Sequence, residues 1–215
     1  MGDEEVVALK RINLRIYKGE VCCIFGTSGS GKSTLLNQLA GMEKPTKGQV
    51  FIRGKNISDM NEEELAAFRQ EHMSFIFQSY NLLPSMTAVE NVAMPLMFKG
   101  MDRKKREAMA EEMLKRVGLS HRLHHYPSQM SGGQQQRAGI ARAFVSRPEV
   151  VFADEPTGNL DTKTTAEIMD MVMGFARRFN QTIILVTHDP GMSRYADRIV
   201  TLVDGIITGD ERKGQ

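Results

Sequence analysis

Cysteine is nearly missing from this 215-residue chain, which has only the adjacent pair Cys22 and Cys23 in an apolar run. Neighbouring strand residues point to opposite faces, so the pair builds neither a disulfide framework nor a metal site. A reducing, cytoplasmic compartment is expected. Charge of one sign is missing too. Lys plus Arg number 28 against 26 for Asp plus Glu, a net charge of +2. That balance gives no basis for a dedicated nucleic-acid binder or an acidic tail, so no nucleic-acid partner is expected. No apolar run approaches the ~20 residues that span a bilayer, and residues 1–10 lack the blocks of a secretory signal. Neither a repeat of ~20–50 residues nor a Gly/Ser- or Pro-rich linker divides the chain. With hydrophobic residues at 41% and charged residues at 25%, disorder is excluded along with a membrane-spanning chain and a secreted disulfide scaffold.

What is there alternates. Residues 6–9, 12–17 and 20–25 are rich in Val, Ile and aromatic residues and read as strands, with Lys18-Gly19 turning between the last two. A glycine-rich stretch then leads into the helix pattern KSTLLNQLAG, closed by Gly41. Residues 50–53 and 73–77 read as strands, and between them Asn61 with Glu64 three positions on marks a helix start. From about Thr87 to Val145 the pattern is almost purely helical. Met109, Met113, Leu114 and Val117 recur at helical spacing, and a further helix runs from Ser131 to near Val145. The alternation resumes with strand 149–153, helix 162–179, strand 182–187, short helix 190–195 and strand 198–203. The apolar runs VVFA and IILV suit parallel strands buried on both faces. A doubly wound α/β core with a helical insertion of ~60 residues follows.

Two motifs carry phosphate chemistry. Gly26, Thr27, Ser28, Gly29, Ser30, Gly31, Lys32 and Ser33 form a phosphate-loop pattern between an apolar strand and a helix. Small residues let backbone N–H groups converge on phosphate oxygens, and the helix aims its positive end at the same point. Lys32 can reach the β- and γ-phosphates, and the Ser33 hydroxyl can ligate Mg²⁺. The run VVFADEP ends a buried strand in Asp154 and Glu155, at the sheet edge where α/β folds bind ligands. The two side chains diverge, so Asp154 suits Mg²⁺ while Glu155 polarises the attacking water.

Ser131, Gly132, Gly133 and Gln134 open a helix with an apolar stripe of Ala138, Ala141, Phe144 and Val145. Its first N–H groups and the serine hydroxyl suit a second anion site, although a plain serine cap before a flexible glycine pair fits equally. In order, GTSGSGKS, Gln78 in FIFQSYNLLP, MSGGQQQR, VVFADEPTGNLD and LVTHD closely resemble the nucleotide-binding subunit of ATP-binding cassette (ABC) transporters. The resemblance covers essentially the whole chain and is nearest the macrolide-efflux and lipoprotein-release branch (MacB- and LolD-like), with the cell-division subunit FtsE as a rival. It implies a P-loop NTPase core with a parallel sheet, an N-terminal antiparallel β segment and an inserted helical subdomain. The core would take about 1–86 and 147–215, the subdomain about 87–146.

The resemblance also implies roles. ATP and Mg²⁺ would be held by Gly26 through Thr34, with Ser33, Gln78 and Asp154 on the metal. Glu155, His188, Gln78 and Lys32 would be catalytic. Ser131, Gly132, Gly133 and Gln134 would cover the γ-phosphate bound to a second copy, and Asp161 would contact that copy or simply cap its own helix. An ATP-sandwich dimer would then drive an integral membrane permease from the cytoplasmic face, with the apolar loop of Leu82, Leu83, Pro84 and Met86 either at the permease groove or tucked into its own domain. In the FtsE-like alternative the same cycle controls cell-wall hydrolysis without moving a solute. A DNA-repair ATPase is excluded, because it requires a long coiled-coil insertion. The family also places an aromatic residue before the segment matching 5–9 to stack on adenine. None precedes Tyr17 here, which leaves that contact unassigned. His121, His124 and His125 suit a polar helix end better than a metal site, the basic run 103–106 suits a solvated helix face, and the scattered methionines suit core filling.

Overall fold

A computed structural model of the chain describes residues 7–213. Strand β1 (Val21–Phe25) runs into the phosphate loop and helix α1 (Lys32–Leu39). A hairpin of two-residue strands, β2 (Phe51–Ile52) and β3 (Lys55–Asn56), precedes α2 (Glu62–His72). The cap read from Asn61 and Glu64 is present. The Glu64 N–H donates to Asn61 Oδ1 at 2.9 Å and the Asn61 N–H to Glu64 Oε2 at 3.0 Å. β4 (Met73–Phe77) follows, then α3 (Ala88–Phe98), α4 (Arg103–Arg116) and α5 (Gly132–Val145). The chain closes with β5 (Val150–Asp154), α6 (Thr162–Phe179), β6 (Thr182–Thr187), a 3₁₀ turn at Pro190–Tyr195, β7 (Arg198–Val203) and β8 (Ile206–Arg212).

The main sheet has six strands in the order β4-β5-β6-β1-β7-β8, all parallel except β8, which pairs antiparallel with β7. Alternation along the strands splits the core between two faces. Val21, Cys23, Val151 and Ala153 pack toward α3, α4, α5 and α6, whereas Ile24 and Phe152 pack toward α1 and α2. Burial pushes the Cys22 thiol up to about 12 and the Cys23 thiol up to about 11, so both stay protonated packing groups.

Several elements differ from the sequence reading. The strand expected at 6–9 falls partly outside the described residues, and residues 7–20 form no ladder. The stretch 11–17 does alternate between exposed and half-buried residues, with Ile12 and Ile16 against the core. Alternation reports which face is buried, whereas a strand also needs a paired neighbour. The expected helical stretch is interrupted between Arg116 and Gly132 by turns and a 3₁₀ turn at Pro127–Gln129. β8 was not foreseen. It follows a two-residue turn at Asp204 (φ 47°) and Gly205 (φ 77°), the Asp-Gly pair that such hairpins favour. Among the described residues no helix is long and apolar enough to cross a membrane.

Candidate functional site: a phosphate cleft at the carboxyl edge of the sheet

Parallel register brings the expected site residues to one edge. Phe25 lies opposite Thr187, Asp154 opposite Val186, and Phe77 opposite Asp154. The residues that follow these strands, Gly26, Gln78, Glu155 and His188, therefore leave the sheet in one layer. Glu155 adopts φ 45°, a costly left-handed conformation for a residue with a β-carbon, and its N–H donates to Val186 O at 3.0 Å. Turning the chain there frees its side chain from the ladder.

An open cleft of about 790 Å³ lies beyond this edge, lined by Ser28, Gly29, Gly31, Lys32, Ser33, Thr34, Gln78, Glu155 and His188, together with Val7, Ala8, Lys10 and Asp204. A Cβ at Gly26 would overlap the Leu202 carbonyl oxygen, and one at Gly31 (φ 95°) would stand 2.7 Å from Ala8 O. Only glycine lets the loop lie this close to its neighbours. Gly31 caps α1 without a side-chain hydrogen bond, so the first-turn N–H groups point into the cleft. Lys32 is largely buried and donates from Nζ to Thr27 O at 2.7 Å. Below it, the Ser30 hydroxyl is buried without a hydrogen-bond partner. Backbone donors, a lysine and hydroxyls in a glycine-walled cradle fit a polyphosphate.

Glu155 and His188 are in direct contact. The His188 ring Nδ1 lies 2.5 Å from Glu155 Oε1, and the His188 N–H donates to the same oxygen at 3.2 Å. Thr187 Oγ1 donates to Glu155 Oε2 at 3.4 Å. Asp154 ends β5 half-buried and does not line the cleft. Burial first, then the Glu155 charge, raises its pKa above the ordinary carboxylate range, while Lys32 opposes the shift. Oxygen donors of Ser33, Gln78 and Asp154 suit a hard cation such as Mg²⁺.

Ser131 caps α5 through a reciprocal box with Gln134, at 3.1 Å and 3.3 Å. It is exposed, and none of residues 131–134 lines the cleft. The structure does not bring the two anion sites together within one chain. Asp161 caps α6 through the Thr164 N–H (3.0 Å) and hydroxyl (2.7 Å), bonds that hold its carboxyl below the usual range. Tyr17 does not line the phosphate cleft but a second pocket, with the Arg212 guanidinium 4.7 Å from its ring centroid. No Phe, Tyr or Trp side chain lines the phosphate cleft among the described residues.

Leu82 packs on the core while Leu83 is 41% exposed. Met86 lines a groove of about 190 Å³ with Ala93, Met94 and Met97, rimmed by Glu90, Arg103, Arg106 and Glu107. The loop is organised by Asn91, fully buried, which accepts from the Leu83 N–H at 2.7 Å and donates to the Leu83, Met86 and Thr87 carbonyls. Sequence reasoning missed Asn91. It also missed Asn159, whose amide donates to Gln78 O at 3.1 Å and accepts from Gln78 Nε2 at 3.4 Å, and Arg142, on α5, which holds the same loop.

The family model described as ABC transporter matches residues 9–158. The chain is 48% identical over 212 residues to the "Macrolide export ATP-binding/permease protein MacB" of a Shewanella species, covering 99% of this chain and 33% of that protein. It thus spans about a third of the length of the MacB relatives it matches. The ABC transporter ATP-binding protein YtrE of Bacillus subtilis is 45% identical over 207 residues, 96% of this chain and 90% of that protein. A solved dimer of the ATP-binding cassette MJ0796, in a post-hydrolysis state with ADP and Pi, aligns at a TM-score of 0.91 and 42% identity, covering 99% of this chain and 93% of that one.

Proposed function

The chain belongs to the ABC transporter family, and we propose that it is the ATP-hydrolysing subunit that closes head to tail on a second copy around two ATP to drive an integral membrane permease. The observation that carries this reading is the separation of two anion sites. The phosphate loop opens into the cleft, whereas the exposed start of α5 at Ser131 is absent from the cleft lining. A second copy can supply that helix start to the γ-phosphate. The dimeric MJ0796 cassette supports the arrangement.

In this reading Lys32, the loop N–H groups and Ser131 from the other copy hold the triphosphate. Ser33, Gln78 and Asp154 would hold Mg²⁺, which supplies charge neutralisation at the phosphates. Glu155 accepts a proton from water as the water oxygen attacks the γ-phosphorus. The bond to the bridging oxygen breaks, and ADP and inorganic phosphate form. His188 leaves its contact with Glu155 to donate to a γ-phosphate oxygen. The α/β core (about 1–86 and 147–215) carries these groups, and the helical subdomain (about 87–146) carries Ser131.

The MacB relatives, named for macrolide export, support a permease of the exporter type, the lipoprotein-release type resting on the sequence resemblance alone; either would hold the subunit at the cytoplasmic face of the membrane. Leu83 and the Met86–Met94–Met97 groove are the surface we assign to the permease. The dimer is tested by mixing two inactive variants. Ser131→Arg spoils the helix start and Lys32→Ala the phosphate loop, so a mixed dimer has one intact composite site and one doubly broken one. ATPase activity should return on mixing, and wild-type activity of Ser131→Arg alone would overturn the reading.

A further inference from the structure

Arg142 lies on α5, well past the Ser131 cap, and faces the loop that carries Gln78. Its guanidinium donates through Nη1 to Asn81 O at 2.5 Å and through Nη2 to Tyr80 O at 2.9 Å. It forms no ion pair with a carboxylate among the described residues. Burial disfavours its charge, with no carboxylate to offset that cost. A half-buried arginine spent on two backbone carbonyls calls for a reason.

The conformation of the two acceptors supplies it. Tyr80 (φ 60°) and Asn81 (φ 47°) are consecutive residues in the left-handed region, and neither is glycine. Crowding of the β-carbon makes that conformation costly at Tyr80, although Asn81 tolerates it better, so the turn persists only where its surroundings hold it. α5 is shaped to receive it. A Cβ at Gly132 would stand 2.8 Å from the Tyr80 hydroxyl, and one at Gly139 would stand 3.5 Å from Tyr80 O. Tyr80 is thus gripped by its carbonyl near the middle of α5 and laid over the glycine at its start. Gln78, two residues earlier, is exposed at the cleft and tied to Asn159 through its own carbonyl and amide.

We propose that Arg142 is a positioning residue for hydrolysis, fixing the turn after Gln78 onto α5 so that Gln78 and the Ser131 end of the helix move as one body. The proposal rests on the ATPase reading above. The planar fork of arginine spans two successive carbonyls, whereas a lysine ammonium is a point donor without that geometry. Arg142 touches no phosphate-loop residue, so its effect must reach the chemistry through Gln78.

The test uses the full chain as wild type, Arg142→Lys, Arg142→Met, Gln78→Ala and the Gln78→Ala/Arg142→Met double variant, with thermal melts to establish folding. Arg142→Met should lower kcat by about 10- to 100-fold through misplacement alone, with KM for ATP within about threefold. Arg142→Lys should fall between Arg142→Met and wild type. In the Gln78→Ala background, adding Arg142→Met should cost less than about twofold, because the two act in series. Amide exchange should quicken about tenfold or more at residues 79–82 in Arg142→Met while β1 stays unchanged, the signature of a locally released turn. Retained kcat, full additivity with Gln78→Ala, or unchanged exchange at 79–82 overturns the positioning role alone. A wild-type chain without ATPase activity overturns the hydrolytic reading, and the positioning role with it.

Discussion

Replacing Glu155 by Gln isolates its proton chemistry from its packing. The amide has the carboxylate's shape: its oxygen, placed where Oε1 stands, still accepts from the His188 N–H (3.2 Å), and its nitrogen, placed where Oε2 stands, can donate to Thr187 Oγ1 (3.4 Å). The left-handed backbone at φ 45° costs Glu and Gln alike, so the strain is unchanged. Thermal midpoints of the two proteins should therefore agree within about 1 °C, below the ~2–4 °C that ~1 kcal/mol would produce in a chain of this size. Nucleotide binding should not suffer either. The Glu155 charge is one of the causes that raise the Asp154 pKa, so its removal lets Asp154 ionise more readily toward Mg²⁺. Hydrolysis, by contrast, loses its base and should fall by ~10²–10⁴-fold. At 1.36 kcal/mol per decade this is about 2.7–5.4 kcal/mol of transition-state stabilisation. Steady-state phosphate release, equilibrium MgATP titration and size exclusion with ATP separate the three quantities, and the variant should run as a dimer with ATP. Hydrolysis within about threefold of wild type would remove Glu155 from the role of base. Loss of ATP binding in step with hydrolysis would show that the residue holds the site together instead.

Two further outcomes follow from features outside the cleft. Leu83→Glu and Met86→Glu should abolish recovery of a membrane protein with the tagged subunit from detergent extracts while leaving ATP-driven dimerisation intact; joint loss of both would mean that the residues serve the fold alone. At the other end of the sheet, Arg198 donates from Nε and Nη2 to the two oxygens of Asp210 at 2.6 Å each, lowering the Asp210 pKa. A depressed carboxylate stabilises the fold above its unfolded value of about 3.9, and the contribution disappears as pH falls through the folded value. Asp210 is 42% exposed, so Asp210→Asn should cost only ~1 kcal/mol in urea melts at pH 7, and the difference should shrink as the pH is lowered below the ordinary carboxylate value. A difference independent of pH would refute the charge account.

What could be read from the sequence depended on how far apart the interacting residues lie. The phosphate loop is a local device: its glycines, Lys32 and Ser33 occupy eight consecutive positions between a strand and a helix. Glu155, His188 and Gln78 each stand at the end of an apolar strand, and parallel register aligns them, but Gln78 and His188 were legible only through the family resemblance and not through that position alone. The caps of α2, α5 and α6 also lie within three residues of their partners. Residues 12–17 were read as a strand from their Val, Ile and aromatic content and form no ladder, since composition belongs to one segment and a ladder to two. β8 was missed although its Asp204-Gly205 turn is a local signal. Its exposed and half-buried residues give no apolar run to draw attention to it.

The residues that escaped notice have one property in common. Arg142 grips Tyr80 O and Asn81 O, Asn91 grips the carbonyls of Leu83, Met86 and Thr87, Asn159 grips Gln78 O, and Gln136 on α5 grips Pro156 O directly after Glu155. In every case a side chain supplies donors to backbone carbonyls of a connecting segment, where no ladder does so. A carbonyl is the same in every residue. The acceptor side of such a contact therefore leaves no mark in the sequence, and the donor side reads only as a polar residue on a helix or in a loop. Groups that touch phosphate need particular side chains at particular spacings and so form motifs, whereas the groups that hold those loops in place need only a donor at the right point in space. The chemistry of this site can be read along the chain, but its rigidity can be read only across it.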